Sequence, residues 1–171
     1  MPKILDQPAE KMLRAARKIL LEEGYDQLTI RRIAGECGTA VGTVYNYFPS
    51  KDYLAAGVML EDWRRLTAKM QEDIHDRQGI EGLNLLFQTV REFSSIYHLV
   101  WEQYKGGSIR QMQYRPMLQK EMEKYLALII PEGKIKGEPF LLQFLADVIL
   151  HYGSDMETGF EQLEGILRNL I

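Results

Sequence analysis

Residues 28–54 read LTIRRIAGECGTAVGTVYNYFPSKDYL, and the organisation of the whole chain follows from them. Thr29 stands where a helix begins, its side-chain oxygen able to accept an otherwise unpaired backbone N–H. Ile30, Ile33, Ala34 and Cys37 recur at i, i+3, i+4 and i+7, which buries one face and turns Arg31, Arg32 and Glu36 outward. Gly38 supplies a turn, a short helix follows over about 41–47, and Pro49 stops it. Ser50 caps the next helix and places Asp52 in its positive first turn. The segment after the turn presents a hydroxyl, an amide, two tyrosines and a lysine. These groups suit base edges and phosphates, with almost nothing among them for catalysis.

Outward from this stretch the pattern is helical, and alternating runs long enough for a strand are absent. A first helix is predicted over about 8–23, with Pro8 where a missing N–H costs nothing and Leu13, Ala16, Ile19 and Leu20 as the buried stripe. Gly24 suits a left-handed C-terminal cap, and Tyr25 can fold back onto the stripe. The helix opened by Lys51 extends to about residue 76, with Leu54, Val58, Trp63, Leu66 and Met70 among its apolar residues; Gly79 and Gly82 mark the next break. Leu83, Phe87, Val90, Phe93, Tyr97, Val100, Trp101 and Tyr104 predict a second long helix over 83–104. Pro116 opens another that carries Leu118, Met122, Tyr125, Leu126 and Ile129. Residues 131–139 read as a loop, and two last helices span about 140–152 and 156–170, broken near Gly153. The expected fold is all-α, with about eight or nine helices. Residues 1–56 would form a three-helix helix-turn-helix unit and residues 57–171 a helical bundle.

The 171 residues suffice for a proper core, and 46% hydrophobic with 26% charged residues is an ordinary globular balance. Residues 1–56 carry eight basic and seven acidic side chains; residues 57–171 carry thirteen and seventeen. A near-neutral reader joined to an acidic body implies DNA binding through a few placed contacts, since a protein that coats nucleic acid is strongly basic. Apolar runs are far too short for a bilayer, and no secretory signal is evident, so a cytoplasmic location is expected, without membrane partners. One cysteine, Cys37, excludes an internal disulfide and a cysteine metal cluster. His75, His98 and His151 lack metal-ligand spacing, and no phosphate-binding glycine loop is present. No enzyme, metal or cofactor is therefore expected; the alternative to a DNA reader is a helical protein-interaction module.

The residues from Gly42 to Phe48, followed by Ser50, Lys51, Asp52 and Leu54, strongly resemble the DNA-binding domain of tetracycline-repressor (TetR) type regulators. Gly24, Tyr25 and Asp26, and the run from Thr29 to Ala34, extend the likeness over roughly residues 9–56. The resemblance implies a homodimeric transcription regulator, repressing by family habit, that lays its second helix in the major groove of a double-stranded operator. By resemblance the DNA contacts fall on Thr29, Val41, Gly42, Thr43, Tyr45, Asn46, Tyr47 and Lys51, with Arg31 and Arg32 as additions. Ile33, Ala34, Val44 and Phe48 match core positions. Thr43 suits a base edge or thymine methyl, Asn46 a base edge or a phosphate, and Tyr45, Tyr47 and Lys51 phosphates. The family usually places an apolar residue and then a serine or threonine before the reading helix, where this chain has Thr39 and Ala40. Alanine has no capping side chain, which leaves the start of that helix open, with Thr39 as an alternative cap.

The resemblance further implies that the C-terminal body dimerises through its last two helices and holds a small-molecule effector. Phe144, Leu145, Val148, Phe160, Leu163 and Leu167 are the candidate interface; the other reading packs them against their own chain. Phe87, Tyr97, Trp101, Tyr104 and Met122 are the candidate effector pocket, or plain core, since an aromatic stripe at helical spacing serves either.

Overall fold

The computed structural model describes residues 7–74, 76–103, 114–130, 139–154, 157 and 159–170, without the side chains of 101–103, 114–117, 139–141, 153–154 and 169–170. The described residues form nine α-helices and no strand. They are α1 (Gln7–Glu22), α2 (Ile30–Cys37), α3 (Val41–Tyr47), α4 (Lys51–Ile74), α5 (Ile80–Ile96), α6 (His98–Gln103), α7 (Tyr114–Ile129), α8 (Pro139–Ser154) and α9 (Phe160–Leu170).

These helices divide into two compact units. The described residues of Met1–Glu61 and Tyr97–Arg115 make the first; those of Asp62–Ile96 and Pro116–Ile171 make the second. Helix α4 supplies residues to both.

In the first unit α2 packs on both α1 and α3, and α6 packs on α1. Met12, Leu13, Ala16, Ile19 and Leu20 of α1 are buried, as are Leu28, Ile33, Val44, Leu54 and Val58. Gly24 adopts φ +86, and its N–H donates to the Ile19 carbonyl at 3.1 Å, so α1 ends where left-handed backbone is needed.

In the second unit α5 is the central element, packed on α8 and α9. Phe87 meets Phe160 with ring centroids 5.5 Å apart, and Trp63 meets Phe93 edge to face at 5.6 Å. Gly79, at φ +62, donates its N–H to the Ile129 carbonyl at 2.9 Å. A Cβ at Gly82 would lie 2.5 Å from the Arg77 carbonyl oxygen and 2.6 Å from Ile129, so the backbone approaches here as only glycine allows.

Several helix boundaries differ from the sequence reading, and Pro116 does not open α7, which begins two residues earlier at Tyr114. The aromatic run over 83–104 is not one helix: α5 stops at Ile96, Tyr97 lies in a turn, and α6 begins at His98. The Ser95 hydroxyl donates to the Glu92 carbonyl at 2.8 Å, competing with the helical ladder just where it ends. Helix α8 begins at Pro139, a residue well suited to a first helical position, and runs through Gly153. Helix α9 begins at Phe160. No helix among the described residues is long and apolar enough to cross a membrane.

Candidate nucleic-acid interface

Helix α2 is fastened at both ends. Thr29, in extended backbone, accepts the Arg32 N–H on its Oγ1 at 3.2 Å. At the other end Gly38 takes φ +65; the Thr39 N–H returns to the Ala34 carbonyl at 2.9 Å and the Gly38 N–H to Gly35 at 3.1 Å. The Lys11 ammonium donates to the Cys37 carbonyl at 2.9 Å, a cation placed at the negative end of α2. Burial pushes the half-buried Cys37 thiol up, away from the reactive thiolate.

Helix α3 is held differently. Ala40 is its N-cap with no side-chain hydrogen bond, and the Ala40 carbonyl accepts from the N–H groups of Thr43 at 2.9 Å and Val44 at 3.4 Å. The helix therefore starts at Val41, and Thr39 does not cap it. Val44 is its single buried residue, and Phe48 closes it by donating its N–H to the Val44 carbonyl at 2.9 Å. Val41, Gly42, Tyr45, Asn46 and Tyr47 are exposed, Tyr45 by 51%, and Thr43 is half-buried.

Gly42 is the informative member of this face. Its φ is not positive, and a Cβ there would meet nothing within 4 Å. Neither conformation nor crowding among the described residues calls for glycine, which weakens a helix by about 0.5–1 kcal/mol relative to alanine. A bare stretch of backbone beside exposed tyrosine and asparagine side chains and the half-buried Thr43 suits a surface against which another molecule must lie closely.

The arginines separate. Arg32 is gripped by Glu23, at 2.6 and 2.8 Å, and by Glu36, at 3.2 Å, whereas Arg31 is exposed. The hydrogen bonds from Arg32 hold the Glu23 carboxyl below its ordinary value. That contribution to stability is present above the unfolded carboxylate pKa and is lost as pH falls through the lowered folded one.

The sequence model described as bacterial regulatory proteins, tetR family, matches residues 12–58, the span that contains α2, α3 and their caps. Residues 12–58 belong to the tetR family. The chain is 26% identical over 137 residues to the HTH-type transcriptional regulator UidR of Escherichia coli K12, covering 75% of this chain and 67% of UidR. It is 29% identical over 138 residues to the HTH-type transcriptional repressor KstR of Mycobacterium tuberculosis, covering 81% of this chain and 54% of KstR. The fold is similar to that of RolR in its crystal structure without ligand, with TM-score 0.65 and 16% identity over 94% of this chain and 89% of that one. With this domain and these relatives, the protein is a DNA-binding transcriptional regulator.

The other predicted site residues are dispersed. Phe87 and Met122 are buried in the second unit, while Tyr97 is buried in the first. The Trp101 side chain and Tyr104 lie outside the described residues. Of the interface set, Leu145, Phe160, Leu163 and Leu167 are buried within this chain, Val148 is half-buried, and Phe144 is exposed. Two features had no sequence signal beyond residue type. The Trp63 indole N–H is buried in the second unit without an acceptor among the described residues. The Tyr25 hydroxyl donates to the Asp52 carboxylate, a pairing of residues 27 apart in sequence.

Proposed function

We propose that the protein works in the cytoplasm as a homodimeric repressor whose two α3 helices enter successive major grooves of a palindromic operator, roughly 34–36 Å apart for half-sites one turn apart. The observation that carries this reading is α3 itself, which is anchored by Val44 alone and turns Val41, Gly42, Tyr45, Asn46 and Tyr47 to solvent. Thr43 and Asn46 read base edges, Arg31 and Thr29 flank them, and Tyr45, Tyr47 and Lys51 hold phosphates. The domain limits fall near residue 56, with the body beyond it for dimerisation and effector binding.

The dimer forms through α8 and α9. Phe144 is 44% exposed, with Val148 and Tyr152 at helical spacing on α8, and Ile166 is 62% exposed on α9. Leu145, Phe160, Leu163 and Leu167 support that face from beneath. An effector is a small, largely apolar molecule carrying a hydrogen-bond acceptor for the Trp63 indole N–H. An unmet buried donor costs about 1–3 kcal/mol, which a bound acceptor recovers. The effector releases DNA by binding the DNA-incompetent state more tightly.

The test is retention of genomic DNA fragments on a filter at rising salt. A few fragments should be retained at physiological salt and lost steeply above it. Retention of none under any condition overturns the reading and favours a protein-interaction module. With a retained fragment in hand, Tyr47→Ala should weaken all sequences equally, whereas Thr43→Ala should change preference at one base position.

A further inference from the structure

Tyr25 is 3% exposed, in the loop that follows Gly24 and precedes α2. Its hydroxyl donates to Oδ1 of Asp52, and the Lys51 ammonium lies 4.0 Å from the centroid of its ring. Lys51 and Asp52 are the first two residues of α4, and the Tyr53 N–H is capped by the Ser50 hydroxyl at 3.3 Å. A carboxylate suits this positive helix end, but a lysine does not. The fold thus places a cation where the helix disfavours it and supplies an aromatic face to receive it. A phenol that donates to a carboxylate carries more electron density in its ring, which strengthens the attraction of that face for an ammonium.

We propose that Tyr25 is a positioning residue for DNA binding: through its bond to Asp52 and its ring beneath Lys51, it holds the Lys51 ammonium ready for a backbone phosphate. The proposal rests on the DNA-binding reading above. A free lysine loses much of its rotamer freedom when it engages a phosphate. Lysine held on the Tyr25 ring has already lost part of it. The same clasp ties the loop after α1 to the start of α4, the helix whose later residues belong to the second unit.

The test is a double-mutant cycle on the full chain with an operator fragment recovered from the genome, reading Kd, its salt dependence and Tm. Lys51→Gln should weaken binding and lower the slope of log K against log salt by about one. Tyr25→Phe keeps the ring, loses the hydroxyl and its bond to Asp52, and should weaken binding about twofold, a fraction of what a whole partly exposed cation–π pair is worth, with the slope unchanged. In the Lys51→Gln background, Tyr25→Phe should have no further effect on Kd. A merely structural Tyr25 would give the same loss in both backgrounds, in step with its fall in Tm. That additivity, or no loss from Tyr25→Phe in the native background, overturns the proposal. If Tyr25→Phe does not fold, Asp52→Asn enters the same cycle with the same expected outcomes. Failure of the wild-type protein to bind any fragment defeats the DNA-binding reading itself and is distinguishable from additivity.

Discussion

Helices α2 and α3 are of nearly equal length, eight and seven residues, and are joined by one glycine turn, yet they are built on opposite principles. Helix α2 has a side-chain cap, a left-handed glycine terminus, a lysine on its last carbonyl and three buried residues. Helix α3 has no side-chain cap and one buried residue; each helix carries a glycine, Gly35 and Gly42, at which an added Cβ would meet nothing within 4 Å among the described residues, but only Gly42 lies among exposed tyrosine and asparagine side chains. Caps and buried side chains are concentrated in the helix that braces, while the helix proposed to read DNA is left bare. Such a division is what a reading surface needs, since side chains that face DNA are not available to stabilise the fold.

The contrast can be broken first at its strongest point. Ile33→Ala empties a fully buried position of α2 and should cost about 2–5 kcal/mol, read as a large loss of Tm or of denaturant midpoint. A smaller effect follows from Thr29→Ala, which removes the α2 cap and should cost about 1 kcal/mol. Adding what α3 lacks should act in the other direction. Ala40→Ser supplies the missing side-chain acceptor and should stabilise by about 0.5–1 kcal/mol; no gain would mean that α3 is limited by something other than its cap. The smallest effect lies outside the two helices' ends, at the Glu23–Arg32 pair. Wild type should melt slightly above Glu23→Gln at neutral pH, and the gap should close as pH falls from the ordinary carboxylate range through the lowered folded value, where the stabilising carboxylate is protonated.

Most of α2 was legible because each device has a residue type of its own: threonine for the cap, glycine for φ +65, and apolar residues at i, i+3 and i+4. The start of α3 was not legible, because Ala40 carries no capping group and the choice between Thr39 and Ala40 turns on backbone geometry alone. The break at Tyr97 was hidden in an unbroken apolar pattern, and the serine that competes with the ladder there has no fixed helical meaning. The buried state of Leu163 and Leu167 was equally out of reach, since periodicity marks an apolar stripe without saying what covers it. The exposed face of α3 could be read, whereas the Tyr25–Asp52 bond required two segments to be brought together in space.

The central claim is that α3 gives up stability in order to lie against DNA, and Gly42→Ala tests it most directly. Measured on one protein preparation and one operator fragment, Tm should rise by the equivalent of about 0.5–1 kcal/mol while operator affinity falls. Unchanged or tighter operator binding alongside that gain in Tm would contradict the claim.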